Sequence, residues 1–265
     1  MQNPLKERRA GVLLHPTSLP GKCTQGDLGP DARRVIDFLP AAGMSVWQML
    51  PLGPTHADRS PYQCLSVHAG NRALVSLADL VEKGWLEEVT SGASSFGDSL
   101  KLARSGFESS ATRADKKAYA GFRTRHACWL EDYALYQAIR ETQDAHSWYR
   151  WPAALRDREP AALESFREEQ AGLIEQVCFE QFLFFMQWSA LRDYAHQHGV
   201  LLFGDVPIYV AHDSADVWAN RELFTIDAAG ELEVVAGVPP DYFSETGQRW
   251  GNPLYRWDRI SQLDY

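Results

Sequence analysis

Residues 237–255, Gly-Val-Pro-Pro-Asp-Tyr-Phe-Ser-Glu-Thr-Gly-Gln-Arg-Trp-Gly-Asn-Pro-Leu-Tyr, hold the densest mixture of flat and directional side chains in the sequence. Tyr242, Phe243, Trp250 and Tyr255 offer apolar ring faces, and Asp241, Ser244, Glu245, Gln248, Arg249 and Asn252 offer donors and acceptors between them. Rings that stack and polar groups that hydrogen-bond suit the C–H faces and hydroxyl rims of sugars. The glycines and prolines predict an irregular loop, neither helix nor strand. For any one ring, burial in a satellite core is the competing expectation. Retaining chemistry at an anomeric carbon needs two carboxyl groups about 5–5.5 Å apart, one with a raised pKa. Asp205, Asp213, Asp241 and Glu245 are the acids in such surroundings, and the sequence fixes no separation between them. Asp213 and Asp216 read as helix caps. Asp205 by itself reads as a cap or turn residue, because Asp after a strand often starts the next turn.

The elements that must position these groups alternate. Apolar runs at 10–14 and 45–50 bracket an amphipathic segment that follows Gly29-Pro30-Asp31, presents Val35, Phe38 and Leu39, and stops at Gly43. Pro40 predicts that this helix ends or kinks a turn early. Residues 87–118 are polar and rich in Ser, Gly and Ala, which predicts a long connection or a loosely packed insertion. Helical spacing returns over 122–142. It is longest over 161–198, where Leu163, Phe166, Leu173, Val177, Phe184, Trp188 and Leu191 are expected in the core. After Gly199, the run 200–203 reads as a strand buried on both faces. Strands alternating with helices predict a parallel sheet, whose chemistry gathers at the carboxyl ends of the strands. His15, residues 54–63 and Asp205 fall there. There is no internal repeat.

A chain of 265 residues, 45% hydrophobic, can bury a core as one large domain or two small ones. The formal net charge of -9, with basic residues scattered among acids, argues against nucleic acid and favours an uncharged ligand. No stretch matches the roughly 20 apolar residues of a membrane span, and the charged start lacks a secretory h-region, so a cytoplasmic protein is expected. Cys23, Cys64, Cys128 and Cys178 are too far apart in sequence for a zinc or iron–sulfur spacing and read as reduced thiols. The eight histidines show no metal-ligand pattern, and no metal site is expected.

Four segments in order resemble the 4-α-glucanotransferase (amylomaltase, or disproportionating enzyme) family. They are Gly-Val-Leu-Leu-His-Pro-Thr-Ser-Leu-Pro-Gly at 11–21; Trp-Gln-Met-Leu-Pro-Leu-Gly-Pro-Thr at 47–55 with Ser-Pro-Tyr-Gln at 60–63; Gly-Asp-Val-Pro-Ile-Tyr-Val at 204–210 with Asp-Ser-Ala-Asp-Val-Trp at 213–218; and the run at 237–255. Weaker echoes at 129–135 and 148–158 extend the likeness over nearly the whole chain. The resemblance implies an α/β fold, the N-terminal portion of a (β/α)8 barrel with helical and loop insertions. Only about three barrel strands can be counted, so the barrel is expected to be incomplete in this chain. The implied layout is first βα units over 1–80, a mostly helical insertion over 81–165, a barrel helix and third strand over 166–210, and a substrate-covering loop subdomain over 211–265.

The function so implied is retaining transfer of α-1,4-glucan segments between maltooligosaccharides, without a cofactor. Ser60, Tyr62, Gln63 and Asp205 would line the cleft, with Tyr242, Phe243, Ser244, Glu245, Gln248 and Trp250 on a lid. None of these is the family's catalytic carboxylate. Its nucleophile lies in an Arg-x-Asp-His-x-Arg-Gly segment that does not occur before Tyr265, and its acid/base and third acid lie further on. The 265-residue chain alone is therefore expected to be inactive, and to self-associate through an open sheet edge. An α-amylase-like hydrolase and a non-catalytic glucan-binding fragment are the rival readings.

Overall fold

The computed structural model describes residues 6–20, 25–87 and 95–263. Cys23 and residue 21 of the first motif lie outside them. The chain divides into two units: Met1–Leu52, Gly70–Thr124 and Phe179–Asp205 form the first, and Gly53–Ala69, Arg125–Cys178 and Val206–Tyr265 the second.

The first unit is built on a three-stranded parallel sheet, β1 (Gly11–Leu13), β2 (Val46–Gln48) and β3 (Leu201–Phe203), in the order β1-β2-β3. Trp47 on the central strand is fully buried, and its indole N–H donates to the Leu14 carbonyl at 2.7 Å. Gly11 faces Val46 so closely that a Cβ would lie 2.6 Å from the Val46 carbonyl oxygen, which excludes larger residues there. All three predicted strands are present. The third is less enclosed than expected: Val200 is buried, but Phe203 is 54% exposed.

Helix α1 (Pro30–Ala41) connects β1 to β2 and buries Ala32, Ile36 and Leu39. Phe38, expected on its apolar face, is exposed. Pro40 does not shorten the helix, because it sits in the last turn, where the chain is ending anyway. Gly43, at φ +75, then ends it in a left-handed residue, with Met44 N–H donating to the Leu39 carbonyl. Gly199, at φ +72, similarly follows the long helix α8 (Ala171–Gln197).

Two glutamines on α8 anchor the chain after residue 70. The Gln181 amide donates to the Gly70 carbonyl and accepts the Gly70 N–H at 2.9 and 2.8 Å, and Gln187 does the same for Ser76 at 3.0 and 2.7 Å. Both glutamines are buried, so each satisfies a loop peptide that water cannot reach. After α2 (Leu77–Glu82), the polar stretch read as a long connection or a loosely packed insertion contains helix α3 (Phe96–Ser110) and the start of α4 (Arg113–Arg125); residues 88–94 lie outside the described chain. Leu100, Ala103 and Phe107 are buried on α3, and Phe107 packs with Trp85, Tyr119, Phe179 and Phe182. A few large rings carry a helix whose average composition is polar.

In the second unit, α5 (Ala127–Thr142) follows a break at His126, so the helical spacing over 122–142 belongs to two helices. The short α6 (Ala153–Arg156) precedes α7 (Pro160–Glu169), which is separated from α8 at Gln170 and likewise divides a single predicted helix. Tyr136, Trp151 and Trp218 form a buried aromatic group between α5 and α9 (Ala215–Ala219), and the Arg158 guanidinium lies over the Trp218 ring at 4.3 Å. The run read as wholly irregular contains a small antiparallel hairpin, β4 (Gly237–Val238) with β5 (Gln248–Arg249), before α10 (Trp257–Ile260).

Candidate functional site

The hairpin tip is held by its own polar atoms. Asp241 Oδ1 accepts the N–H groups of Phe243 and Ser244 at 2.9 and 2.8 Å, Ser244 Oγ donates to the Gly247 carbonyl at 2.7 Å, and Gly247 supplies a φ of +75 that a β-carbon would strain. This turn leaves Tyr242 96% and Phe243 89% exposed, edge to face with ring centres 5.5 Å apart. They are not core. Glu245 and Gln248 are exposed beside them, Ser244 is half-buried, and the Trp250 indole donates to Gln248 Oε1 at 3.1 Å.

The hairpin's base is tied down by Asn252. Its backbone carbonyl accepts the Ala236 N–H at 2.8 Å, and Trp250 N–H donates to the Ala236 carbonyl at 2.9 Å. Its side chain, 3% exposed, donates to the Val210 carbonyl at 2.8 Å and accepts from Gln63 Nε2 at 3.1 Å. Gln63 belongs to a loop closed by a Thr55–Cys64 bridge and a Leu65 to Pro54 backbone bond of 2.7 Å, with Ser60 half-buried and Tyr62 exposed on it. The Cys64 thiol donates to the Pro61 carbonyl at 2.8 Å, and burial pushes its pKa up to about 11, so it is a packing group.

The other end of that loop meets Asp213. Asp213 Oδ1 accepts from Tyr136 OH at 2.8 Å and from Trp148 N–H at 3.2 Å; Oδ2 lies 3.8 Å from Arg140 Nη2 and 4.0 Å from His56 Nδ1. Burial, followed by the Asp213 charge, drives the Tyr136 phenol well above its usual pKa, so it stays a donor. The His56 imidazole is lowered, burial outweighing Asp213. Asp213 therefore is not a cap: Ser214 caps α9, its Oγ accepting the Val217 N–H. Asp216 lies in the first turn of α9, but its Oδ2 accepts the Val67 N–H at 3.0 Å, and burial raises its pKa. Both acids hold the 53–69 loop.

Asp205 belongs to the first unit. It is exposed, two residues beyond the end of β3. In the same unit His15 follows β1; its Nε2 donates to the Pro51 carbonyl at 3.3 Å and its Nδ1 accepts the Thr17 N–H, which fixes a neutral tautomer, and burial lowers its pKa. Ser60, Tyr62, Gln63 and the hairpin residues belong to the second unit, where a direct bond to Asn252 joins Gln63 to the hairpin's base. Asn252 was named among the polar groups of the run, but its buried bracing role was not read, and His56, Tyr136 and Arg140 were not singled out by residue type. The one signal was the Asn-Pro dipeptide after Trp-Gly, which marks a turn but not a buried amide. Among the described residues no group of His, Cys, Asp and Glu could hold a metal ion, and no helix is long and apolar enough to cross a membrane.

A model of the family described as "4-alpha-glucanotransferase" matches residues 14–265. The chain belongs to the 4-alpha-glucanotransferase family. It is 50% identical to the 4-alpha-glucanotransferase of Thermus thermophilus, over 96% of this chain and 53% of that protein. It is 43% identical to a chloroplastic/amyloplastic 4-alpha-glucanotransferase of Arabidopsis thaliana, over 99% of this chain and 48% of that protein. The chain thus spans about half the length of the curated relatives it matches. Its fold superposes on the amylomaltase from Streptococcus agalactiae in complex with acarbose, with a TM-score of 0.88 and 33% identity, covering 97% of this chain and 55% of that one. The mixed α/β architecture is that of this glucanotransferase family.

Proposed function

We propose that the chain is the glucan-holding N-terminal portion of a retaining 4-α-glucanotransferase, carrying the first strands of a (β/α)8 barrel. The parallel β1-β2-β3 sheet, with connections leaving its carboxyl ends, supports the partial barrel. The hairpin carries the functional reading: Tyr242 and Phe243 stand almost wholly in solvent on a braced turn. Two large exposed rings cost solubility and contribute nothing to this fold, so they mark a ligand surface.

In the transfer reaction a carboxylate attacks the anomeric carbon, a carboxylic acid protonates the leaving oxygen, and the 4-hydroxyl of a second glucan then displaces the carboxylate. Transfer beats hydrolysis only if the acceptor outcompetes water. A hairpin that stacks on the acceptor and covers the glycosyl-enzyme supplies that bias. Ser60, Tyr62, Gln63 and Asp205 hold sugar hydroxyls, and Glu245, Gln248, Ser244 and Trp250 work with the rings. Of the four acids in the motifs, Asp241 serves the turn and Asp213 the buried cluster, and in this reading Asp205 and Glu245 hold the ligand. The 265-residue polypeptide accordingly binds glucan without turning it over. The β3 edge, paired on one side among the described residues and ending in exposed Phe203, supports self-association of this polypeptide.

Titration with maltoheptaose, followed by tryptophan fluorescence, tests the binding, and chromatography after incubation with maltotriose tests the turnover. Saturable quenching with no maltotetraose is expected. A ladder of longer glucans would overturn the assignment of catalysis to groups outside this chain, and no response to maltoheptaose would overturn the glucan reading.

A further inference from the structure

The bonds of Asn252 fix more than its own position. The Val210 carbonyl can only accept, so the nitrogen of the Asn252 amide must face it, at 2.8 Å. The Asn252 oxygen then faces Gln63 and can only accept, so Gln63 must turn its NH2 inward, at 3.1 Å. By elimination the Gln63 oxygen Oε1 is the end directed away from Asn252. Because Asn252 is 3% exposed, a wrong orientation of either amide would leave donors facing each other, or acceptors, where water cannot relieve them. The same residue closes the hairpin's base through the bond from Ala236 N–H to its carbonyl. Gln63 and Asn252 are separated by 189 positions in the chain, so this contact is a tertiary link between the 54–65 loop and the hairpin.

We propose that Asn252 is a positioning residue that locks the 54–65 loop and the 236–250 hairpin into one unit, and that it presents Gln63 as an acceptor selecting a hydroxyl donor. In the glucan reading, on which the ligand half of this inference rests, that donor is a sugar hydroxyl. The lock itself is independent of any ligand. It predicts reciprocity: loosening the loop side must loosen the hairpin, and the reverse.

Hydrogen–deuterium exchange on the ligand-free 265-residue chain reads this directly. Gln63→Ala removes the donor to Asn252 from a half-buried loop position. Exchange over 236–250 is expected to quicken roughly tenfold, the scale of a lost buried hydrogen bond, with α8 unchanged. Asn252→Asp keeps the shape and the acceptor for Gln63 but sets an oxygen against the Val210 carbonyl, and exchange is expected to quicken over both 54–65 and 236–250. Should Gln63→Ala leave the hairpin's exchange at the wild-type rate, the lock is overturned, whether or not Asn252→Asp folds. For the ligand half, Gln63→Glu should weaken maltoheptaose binding several-fold, because a carboxylate cannot donate to Asn252 and the two oxygens repel. Wild-type binding with an unchanged Gln63→Glu affinity would overturn the claim that the bond to Asn252 positions Gln63 for its ligand. If wild-type does not bind maltoheptaose, the glucan reading fails while the exchange result still decides the lock.

Discussion

Two aspartates in the second unit do opposite work. Asp213, its side chain 13% exposed, gathers Tyr136, the Trp148 amide, Arg140 and His56 from three separate segments. The side chain of Asp241, exposed at the hairpin tip, accepts the N–H groups of Phe243 and Ser244 beside it. The first bonds across the fold and leaves nothing for a ligand. The second spends its oxygen locally and thereby raises two rings into solvent. Within the same motif-rich part of the chain, connectivity separates the residues that hold the fold from those that face outward.

The contrast is broken most severely at Asp213. Asp213→Ala would leave a fully buried phenol, a backbone N–H and part of the Arg140 guanidinium without their acceptor. Losing one partner of a buried charged cluster costs about 3 kcal/mol or more. A fall in melting temperature of many degrees is expected, and Asp213→Asn, which keeps one acceptor, should recover part of it. A change of Asp213→Ala below about 0.5 kcal/mol, the size of an ordinary surface substitution, would erase the distinction between the two aspartates.

Acidification probes the same cluster. His56 and His212 both have pKa values lowered chiefly by burial, and His15 in the first unit does too. The unfolded imidazole protonates near pH 6.5, the buried one only at lower pH, so the unfolded chain binds more protons as pH falls. Their contribution is present above about pH 6.5 and is lost as pH drops through the folded values. Asp216, raised by burial, has the opposite sign: its contribution is complete below its unfolded value near pH 3.9 and declines as pH rises through its folded value, so it opposes the histidines wherever the two ranges meet. The melting temperature should therefore fall between pH 7 and 5. His56→Gln should flatten that slope, whereas the Tyr242 and Phe243 variants should leave it unchanged.

What the sequence disclosed follows the same line between local and distant bonding. The strands at 11–13, 46–48 and 201–203 were legible because apolar runs between turn residues are local signals, and so were the left-handed ends at Gly43 and Gly199. Helices α3 and α4 were not legible from apolar spacing, which Ser, Gly and charge dilute; only the resemblance implied a mostly helical stretch over 81–165. Yet each carries a short-range marker: Ser95 with Asp98, and Thr112 with Asp115, exchange side-chain and backbone bonds as capping boxes. Those hydroxyls hold both carboxyl groups below the usual range. Ser95→Ala or Thr112→Ala should cost about 1 kcal/mol by denaturant unfolding, well under Asp213→Ala. The Asn252–Gln63 bond had no local marker at all, since nothing near either residue names a partner 189 positions away.

The smallest effect on stability is expected where the effect on ligand is clearest. Tyr242→Ala with Phe243→Ala removes two rings that are 96% and 89% exposed and touch chiefly each other, while Asp241 and Ser244 keep the turn through backbone bonds. The unfolding free energy should move by less than about 0.5 kcal/mol, as for other surface changes. Each lost stacking face should weaken maltoheptaose binding by about 0.5–1.5 kcal/mol. In a longer protein that carries the catalytic carboxylates, a poorer hold on the acceptor gives water a larger share of the glycosyl-enzyme, so the ratio of hydrolysis to transfer products should rise as turnover falls. Stability and product ratio respond independently here. A lowered melting temperature with an unchanged ratio would mean that the rings pack against protein in the longer chain, and the hairpin tip would then belong with Asp213 on the structural side.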